Sequence, residues 1–276
     1  MDLQLNGKVA LVTAASKGIG NAVAQRLARE GAIVAVSSRS VAGAAEQLFD
    51  GGGKIVTFPA DLGNVAQTGA LVDQVVARLG RLDIAVLNTP GPKIKPFLDT
   101  ELEDWSGAFD VLVRPVVQLA LASAKQMAAN KSGSIVFLTS TWVKQPAPGG
   151  ALSSSMRSAL SSMSKQMATE LGAYGVRVNQ VQPGATGTDR MHDIVRMKAD
   201  KNGTSAEQEI QQIVKDIPLG RWGNPEEIAD AVAYLASPWP VLSLVQRCRL
   251  MAVPCARFEP ARFHRFPEIN HDHVID

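Results

Sequence analysis

At 276 residues the chain is long enough for one α/β domain with a substantial core, and its formal charge is nearly balanced at +2. That balance gives no electrostatic basis for binding nucleic acid or an acidic membrane surface. Residues 1–8 lack the basic and apolar regions of a signal peptide, and no uncharged apolar run approaches membrane-spanning length, so the expectation is a cytoplasmic protein.

Residues 8–14, K-V-A-L-V-T-A, form the short β-branched run of a strand buried on both faces of a parallel sheet. A glycine-bearing turn follows, and Ile19, Val23 and Leu27 then recur at helical spacing through residue 30. Strand, glycine-rich turn and helix N-terminus make a dinucleotide site, because free amide N–H groups and the helix dipole face the pyrophosphate. Gly18 and Gly20 would let the backbone approach that phosphate and let the helix pack on the sheet. An ordinary strand-to-helix turn is the alternative, and the context on both sides favours the nucleotide site.

Residues 33–38 read as the second strand and 54–58 as the third, with a helix over 41–49 between them stopped by Gly51, Gly52 and Gly53. An amphipathic helix over 65–79 and a fourth strand over 84–88 follow. Residues 89–100 are a Pro/Gly loop, and 102–129 a long helix that Pro115 should kink by freeing the Val111 carbonyl. The remaining elements are a strand over 134–140, a helix over 152–173, a strand over 176–181 and one or two polar helices over 189–215. Asn224, Pro225 and Glu227 then start a helix with an N-cap, a first-turn proline and a capping box. Alternating β and α segments imply right-handed crossovers and a Rossmann-type doubly wound parallel sheet with helices on both faces.

The stretch T-A-A-S-K-G-I-G resembles the T-G-x-x-x-G-x-G fingerprint of the short-chain dehydrogenase/reductase family, and the likeness runs on to about Pro238. Ala14 stands where the family has its first glycine, a methyl tolerable only if φ stays negative there. The resemblance implies a cofactor site at Ala14, Ser16, Lys17, Gly18, Ile19 and Gly20. It adds Asp61 and Leu62 at the adenine, Asn88 in an N-N-A-G-like stretch, and Pro183, Gly184, Thr186 and Thr188 in a P-G-x-x-x-T segment over the nicotinamide. Ser38 and Arg39 occupy the end of the second strand, where an NAD-preferring site carries an acid. An acid repels a 2′-phosphate and Arg39 attracts one, so NADP is expected over NAD; a solvated surface charge is the alternative.

The catalytic half departs from the family pattern of Ser, Tyr, Lys and a relay Asn. Ser140 falls in the Ser position, but Ser153 stands for Tyr, Arg157 for the cofactor-holding Lys, and Leu112 for Asn. The only tyrosines, Tyr174 and Tyr234, lie outside any Y-x-x-x-K pattern. An aliphatic hydroxyl is a far poorer acid than a phenol near ~10, and Arg157 cannot itself shuttle a proton. Lys144, four residues past Ser140, is a spare titratable group if buried and otherwise a solvated loop lysine. Residues 153–157 also read as a plain helix start with serine caps and an exposed arginine. The whole resembles a ketoacyl-reductase-like subgroup lacking the Tyr. It implies an NADP-dependent oxidoreductase for a small-molecule or acyl-thioester substrate with a rebuilt proton path. A non-catalytic or non-redox homologue is the other class. Either could be a homo-oligomer, dimeric through helices 102–129 and 152–173, or could pair with an active homologue.

Composition changes abruptly near Trp239: both cysteines and three of the four histidines lie beyond it. There the family continues into a seventh strand and a V-D-G-G turn, whereas this chain runs P-V-L-S-L-V-Q-R-C-R-L-M-A-V-P. Codons joined across residues 244–253 permit G-x-T-L-S-V-D-G-G in a shifted frame. Residues 1–238 are therefore expected to form the domain, with a lid about 189–215. Residues 239–276 are expected to be a frameshifted tail, irregular and easily clipped, with the seventh strand missing and the edge of the sixth left unpaired. The frameshift accounts for Cys248, Cys255, His264, His271 and His273 without a metal site.

Overall fold

The computed structural model describes residues 1–39, 47–239 and 247–250. Among these, eight strands form one sheet in the order β3-β4-β2-β1-β5-β6-β7-β8. They are β1 (Val9–Thr13), β2 (Ile33–Ser38), β3 (Gln47–Leu48), β4 (Lys54–Pro59), β5 (Ile84–Leu87), β6 (Gly133–Leu138), β7 (Val176–Pro183) and β8 (Arg247–Leu250). All neighbouring pairs are parallel except β3 with β4. Alternation along β1 shows why both faces must be covered. Val9 and Leu11 join the cluster under α2 (Val65–Leu79), α4 (Arg114–Ala129) and α5 (Ala151–Leu171). Ala10 and Val12 join the cluster under α1 (Gly18–Arg29) and α8 (Pro225–Ala236). This is the doubly wound sheet that the alternating elements predict.

The long apolar stretch Leu102–Ala129 has the length and composition to cross a membrane, yet it folds as two helices against the sheet. α3 (Leu102–Leu112) ends at Val113, and Pro115 sits in the first turn of α4, where its missing N–H costs nothing. The break is the expected proline kink, completed into two elements. The region over 189–215 also divides, into α6 (Asp189–Asn202), capped by Thr188, and α7 (Ala206–Val214), capped by Ser205. α8 carries the expected box of Asn224 and Glu227. Its other end is held by Arg177 of β7, which donates to the carbonyls of Leu235 (2.8 Å), Ala236 (3.1 Å) and Ser237 (2.7 Å).

Two expectations are corrected. Gln47 and Leu48 pair antiparallel with Ile55 and Lys54 instead of continuing a helix over 41–49, of which residues 41–46 lie outside the described residues. Gly51 and Gly52, at φ +85° and +89°, turn the chain back on itself, and Phe49 N–H closes the turn on Gly53 O at 2.8 Å. The seventh strand of the parallel sheet is also present. Arg247–Leu250 runs parallel to β7, with Gln180 opposite Arg247 and Pro183 opposite Leu250. The backbone edge of β7 pairs with a four-residue stretch, R-C-R-L, that alternates charged and apolar residues. The irregular tail and the metal-site alternative fall mostly on residues 240–246 and 251–276, outside the described residues.

Candidate active site

The turn after β1 is built by its neighbours. Thr13 Oγ1 donates to Asn88 O (2.7 Å) and accepts from Asn88 N–H (3.0 Å), while Asn88 Nδ2 donates to Ala14 O (3.2 Å). Ala15 N–H reaches Ser37 O at 3.1 Å. These bonds hold Ala14 at φ +49°, against the expectation of a negative value; the turn imposes the left-handed conformation although a methyl is present. Gly18 follows at φ +58°. Gly20 is required by packing, since a Cβ there would stand 2.6 Å from Ala14 O and 2.9 Å from Asn88 Nδ2. Ser16 and Lys17 are exposed, and Ile19 packs partly on the core beneath.

The N-terminus of α1 has no side-chain cap and no acid in its first turn, whereas α6 and α7 are capped by their own side chains. Its free N–H groups and positive dipole end are thus available to an anion. At the end of β2, Ser38 is buried and Arg39 exposed. Arg39, Pro59, Ala60, Asp61 and Gln67 line a cavity of about 380 Å³. Asp61 is oriented there by accepting from Gly63 N–H (2.9 Å) and by donating its own N–H to Gln67 Oε1 (2.8 Å), with Leu62 buried beneath.

Pro183 and Gly184 end β7, and Thr186 Oγ1 donates to Gly184 O at 3.1 Å. Thr188 Oγ1 caps α6 through Met191 N–H (3.3 Å), and its methyl would lie 3.4 Å from a Cβ on Gly18. The segment therefore closes over the glycine turn.

At the C-terminal end of β6, Ser140 Oγ accepts from Trp142 N–H (3.2 Å), which leaves its own hydrogen available. Arg157 reaches the same place from α5. It is 8% exposed, and its Nη1 donates to Leu138 O (3.1 Å) and Thr139 O (3.2 Å), the two residues before Ser140. Ser153, half-buried, lies one turn before Arg157 on the same helix. Leu112 is fully buried in the core. Lys144 is exposed, so the burial that would make it a useful acid is absent. Tyr174 precedes β7 and Tyr234 lies near the C-terminus of α8, whose end is bonded to Arg177 at the start of β7, so both stand toward the N-terminal end of the strands, away from the site. The exposed-arginine alternative for Arg157 is corrected: it is buried.

Sequence reasoning missed Arg190. This α6 residue crosses to the loop after β5, donates from Nη2 to Pro92 O (2.7 Å) and lies against Gly91, where a Cβ would meet its Cζ at 2.6 Å. Burial, and secondarily the charge of Arg190, bring Arg157 down to about 10, so it stays cationic at neutral pH. A lone arginine in the first turn of a helix, where acids are favoured, was the only local signal.

A family model described as "Enoyl-(Acyl carrier protein) reductase" matches residues 13–242. The chain belongs to the short-chain dehydrogenase/reductase family. An uncharacterised oxidoreductase of Methylorubrum extorquens is 36% identical over 238 residues, covering 85% of this chain and 92% of that protein. The 3-oxoacyl-[acyl-carrier-protein] reductase of Synechocystis is 31% identical, covering 84% and 90%. Among solved structures, L-sorbose reductase from Gluconobacter frateurii, complexed with NADPH and L-sorbose, superposes with a TM-score of 0.83 at 26% identity, covering 92% and 98%. Within the short-chain dehydrogenase/reductase frame, the crevice beyond the C-terminal ends of β1, β5 and β6 is the ligand side.

Proposed function

We propose that the chain is an NADP(H)-dependent carbonyl or hydroxyl oxidoreductase acting on a small molecule with a rebuilt proton path. The observation that carries the reading is the uncapped first turn of α1, after β1, together with the Arg39–Asp61 cavity after the neighbouring β2. The residues fit the cofactor: backbone N–H groups at residues 16–20 for the pyrophosphate, Arg39 and Ser38 for a 2′-phosphate, and Asp61 for the adenine. The NADPH in the sorbose reductase complex supports the choice. When bound, the cofactor supplies a hydride. Ser140 donates its free Oγ–H to the substrate carbonyl and orients it. Arg157, held by two backbone carbonyls, supplies a fixed positive charge but moves no proton. Ser153 relays a proton from solvent, a slow step because an aliphatic hydroxyl is a weak acid.

Fluorescence titration should show NADPH binding more tightly than NADH, and Arg39→Asp should invert the order. Equal affinities in the unmodified protein would sink the cofactor assignment. Single-turnover hydride transfer should be slow with ordinary ketones, and Ser153→Tyr with Arg157→Lys should raise it. Turnover by the unmodified protein at ordinary reductase rates, about 1–1000 per second, would refute the acidity argument.

A non-catalytic partner subunit is the second reading, favoured by fully buried Leu112 in the relay position. The exposed Leu102, Phe109 and Leu121 suit self-association through helices 102–129 and 152–173.

A further inference from the structure

Two arginines come to the C-terminal ends of the neighbouring strands β5 and β6. Arg157 rests on the carbonyls of Leu138 and Thr139, and Arg190 on that of Pro92, close enough for its charge to act on Arg157. Arg157 is buried, and its two hydrogen bonds among the described residues both leave from Nη1, so Nε and Nη2 remain to be used. Arg190 arrives from α6 as an exposed side chain, fastened by one nitrogen to Pro92 O and lying against the Gly91 backbone. Neither forms an ion pair with a carboxylate among the described residues, although nine other pairs elsewhere engage Lys or Arg with Asp or Glu. A buried cation facing a like charge is costly unless something neutralises it.

We propose that Arg157 and Arg190 form a carboxylate-binding subsite, and that the substrate is a short oxo acid whose carboxylate they hold beside the carbonyl oriented by Ser140. The placement argues for substrate rather than cofactor. The pyrophosphate is taken by the first turn of α1 and a 2′-phosphate by Arg39, at the other end of the crevice. Arg157 instead rests on the two residues that precede Ser140. Planar guanidinium forks match a carboxylate through paired N–H···O bonds, which a lysine in the same position cannot reproduce. The arginine at position 157 thereby acquires a use beyond replacing a lysine's charge. The subsite rests on the oxidoreductase reading for the position of the reacting carbonyl, but its ligand chemistry is tested separately.

The probes are oxamate, which carries one carboxylate, its neutral relative oxamide, and inorganic phosphate, titrated calorimetrically into the protein with and without NADPH. Oxamate should bind the NADPH-loaded protein about tenfold or more tightly than oxamide. Arg190→Gln should weaken oxamate by about tenfold while NADPH affinity is retained. Arg190→Lys, with circular dichroism to verify folding, should recover only part of the loss. Undetectable oxamate binding, equal binding of oxamide, or indifference to Arg190→Gln overturns the subsite while intact NADPH binding preserves the oxidoreductase reading. Arginine-dependent oxamate binding without any NADPH binding upholds the subsite and removes the cofactor reading. Phosphate that displaces oxamate only when NADPH is absent assigns the pair to cofactor phosphate and overturns the proposal.

Discussion

Ala14 carries a conformation suited to glycine, at φ +49° between bonds to Thr13, Asn88 and Ser37. A non-glycine residue in that basin is strained, so Ala14→Gly should stabilise the protein by about 1 kcal/mol. In a domain of this size the thermal midpoint should rise by about 2–4 °C. A midpoint that stays or falls would mean the turn does not hold Ala14 there. The presence of the turn was legible because a buried strand, glycines and an apolar helix face are all local signals. The sign of φ was not, since it depends on Asn88, seventy-four residues from Ala14. Arg190 escaped notice for the same reason: its partner Pro92 lies ninety-eight residues away.

Among the elements, α8 shows how completely a helix start can be written in sequence. Glu227 accepts from Asn224 N–H (2.7 Å) and takes a two-pronged bond from Arg221, both contacts at 2.8 Å. The Arg221 hydrogen bond, then the Asn224 N–H, pull its carboxyl from 4.5 down to about 2. A folded value below the unfolded one means this stabilisation is full above about pH 4.5 and fades as the pH falls through 2. Glu227→Gln should lower the thermal midpoint slightly at pH 7, and its curve should converge on the unmodified one near pH 2. A difference that persists unchanged to that pH would show that the carboxylate charge is not responsible. The end of the helix expected over 41–49 is a strand at Gln47–Leu48 for a complementary reason. Two glycines with positive φ make a reversal as readily as a helix stop, and the neighbouring β4 edge decides between them.

For the molecule as a whole, the doubly wound parallel sheet with helices on both faces was readable from the alternation of strands and helices, because each crossover must bury one helix stripe on the sheet. The last strand was not. R-C-R-L does alternate charged and apolar residues, but four residues are a weak signal, and the register comes from pairing with β7. We propose that residues 239–276 are a shifted reading of a family-like ending; the gene's codons decide it, since a codon set unable to spell V-D-G-G in the other frame ends the idea. A chain stopped at Trp239 should lose β8, leave β7 as an edge, melt lower and scatter more light through self-association. Equal stability and monodispersity would show that β8 contributes nothing. Arg177 explains how so unpromising a strand finds its place. By gripping the carbonyls of Leu235, Ala236 and Ser237, it ties the end of α8 to β7. Arg247–Leu250 is then tethered at high effective concentration to a row of backbone donors and acceptors that does not discriminate among side chains. The address of the final strand is thus carried by the fold that precedes it, and that site on the sheet is open to rewriting by evolution at little cost.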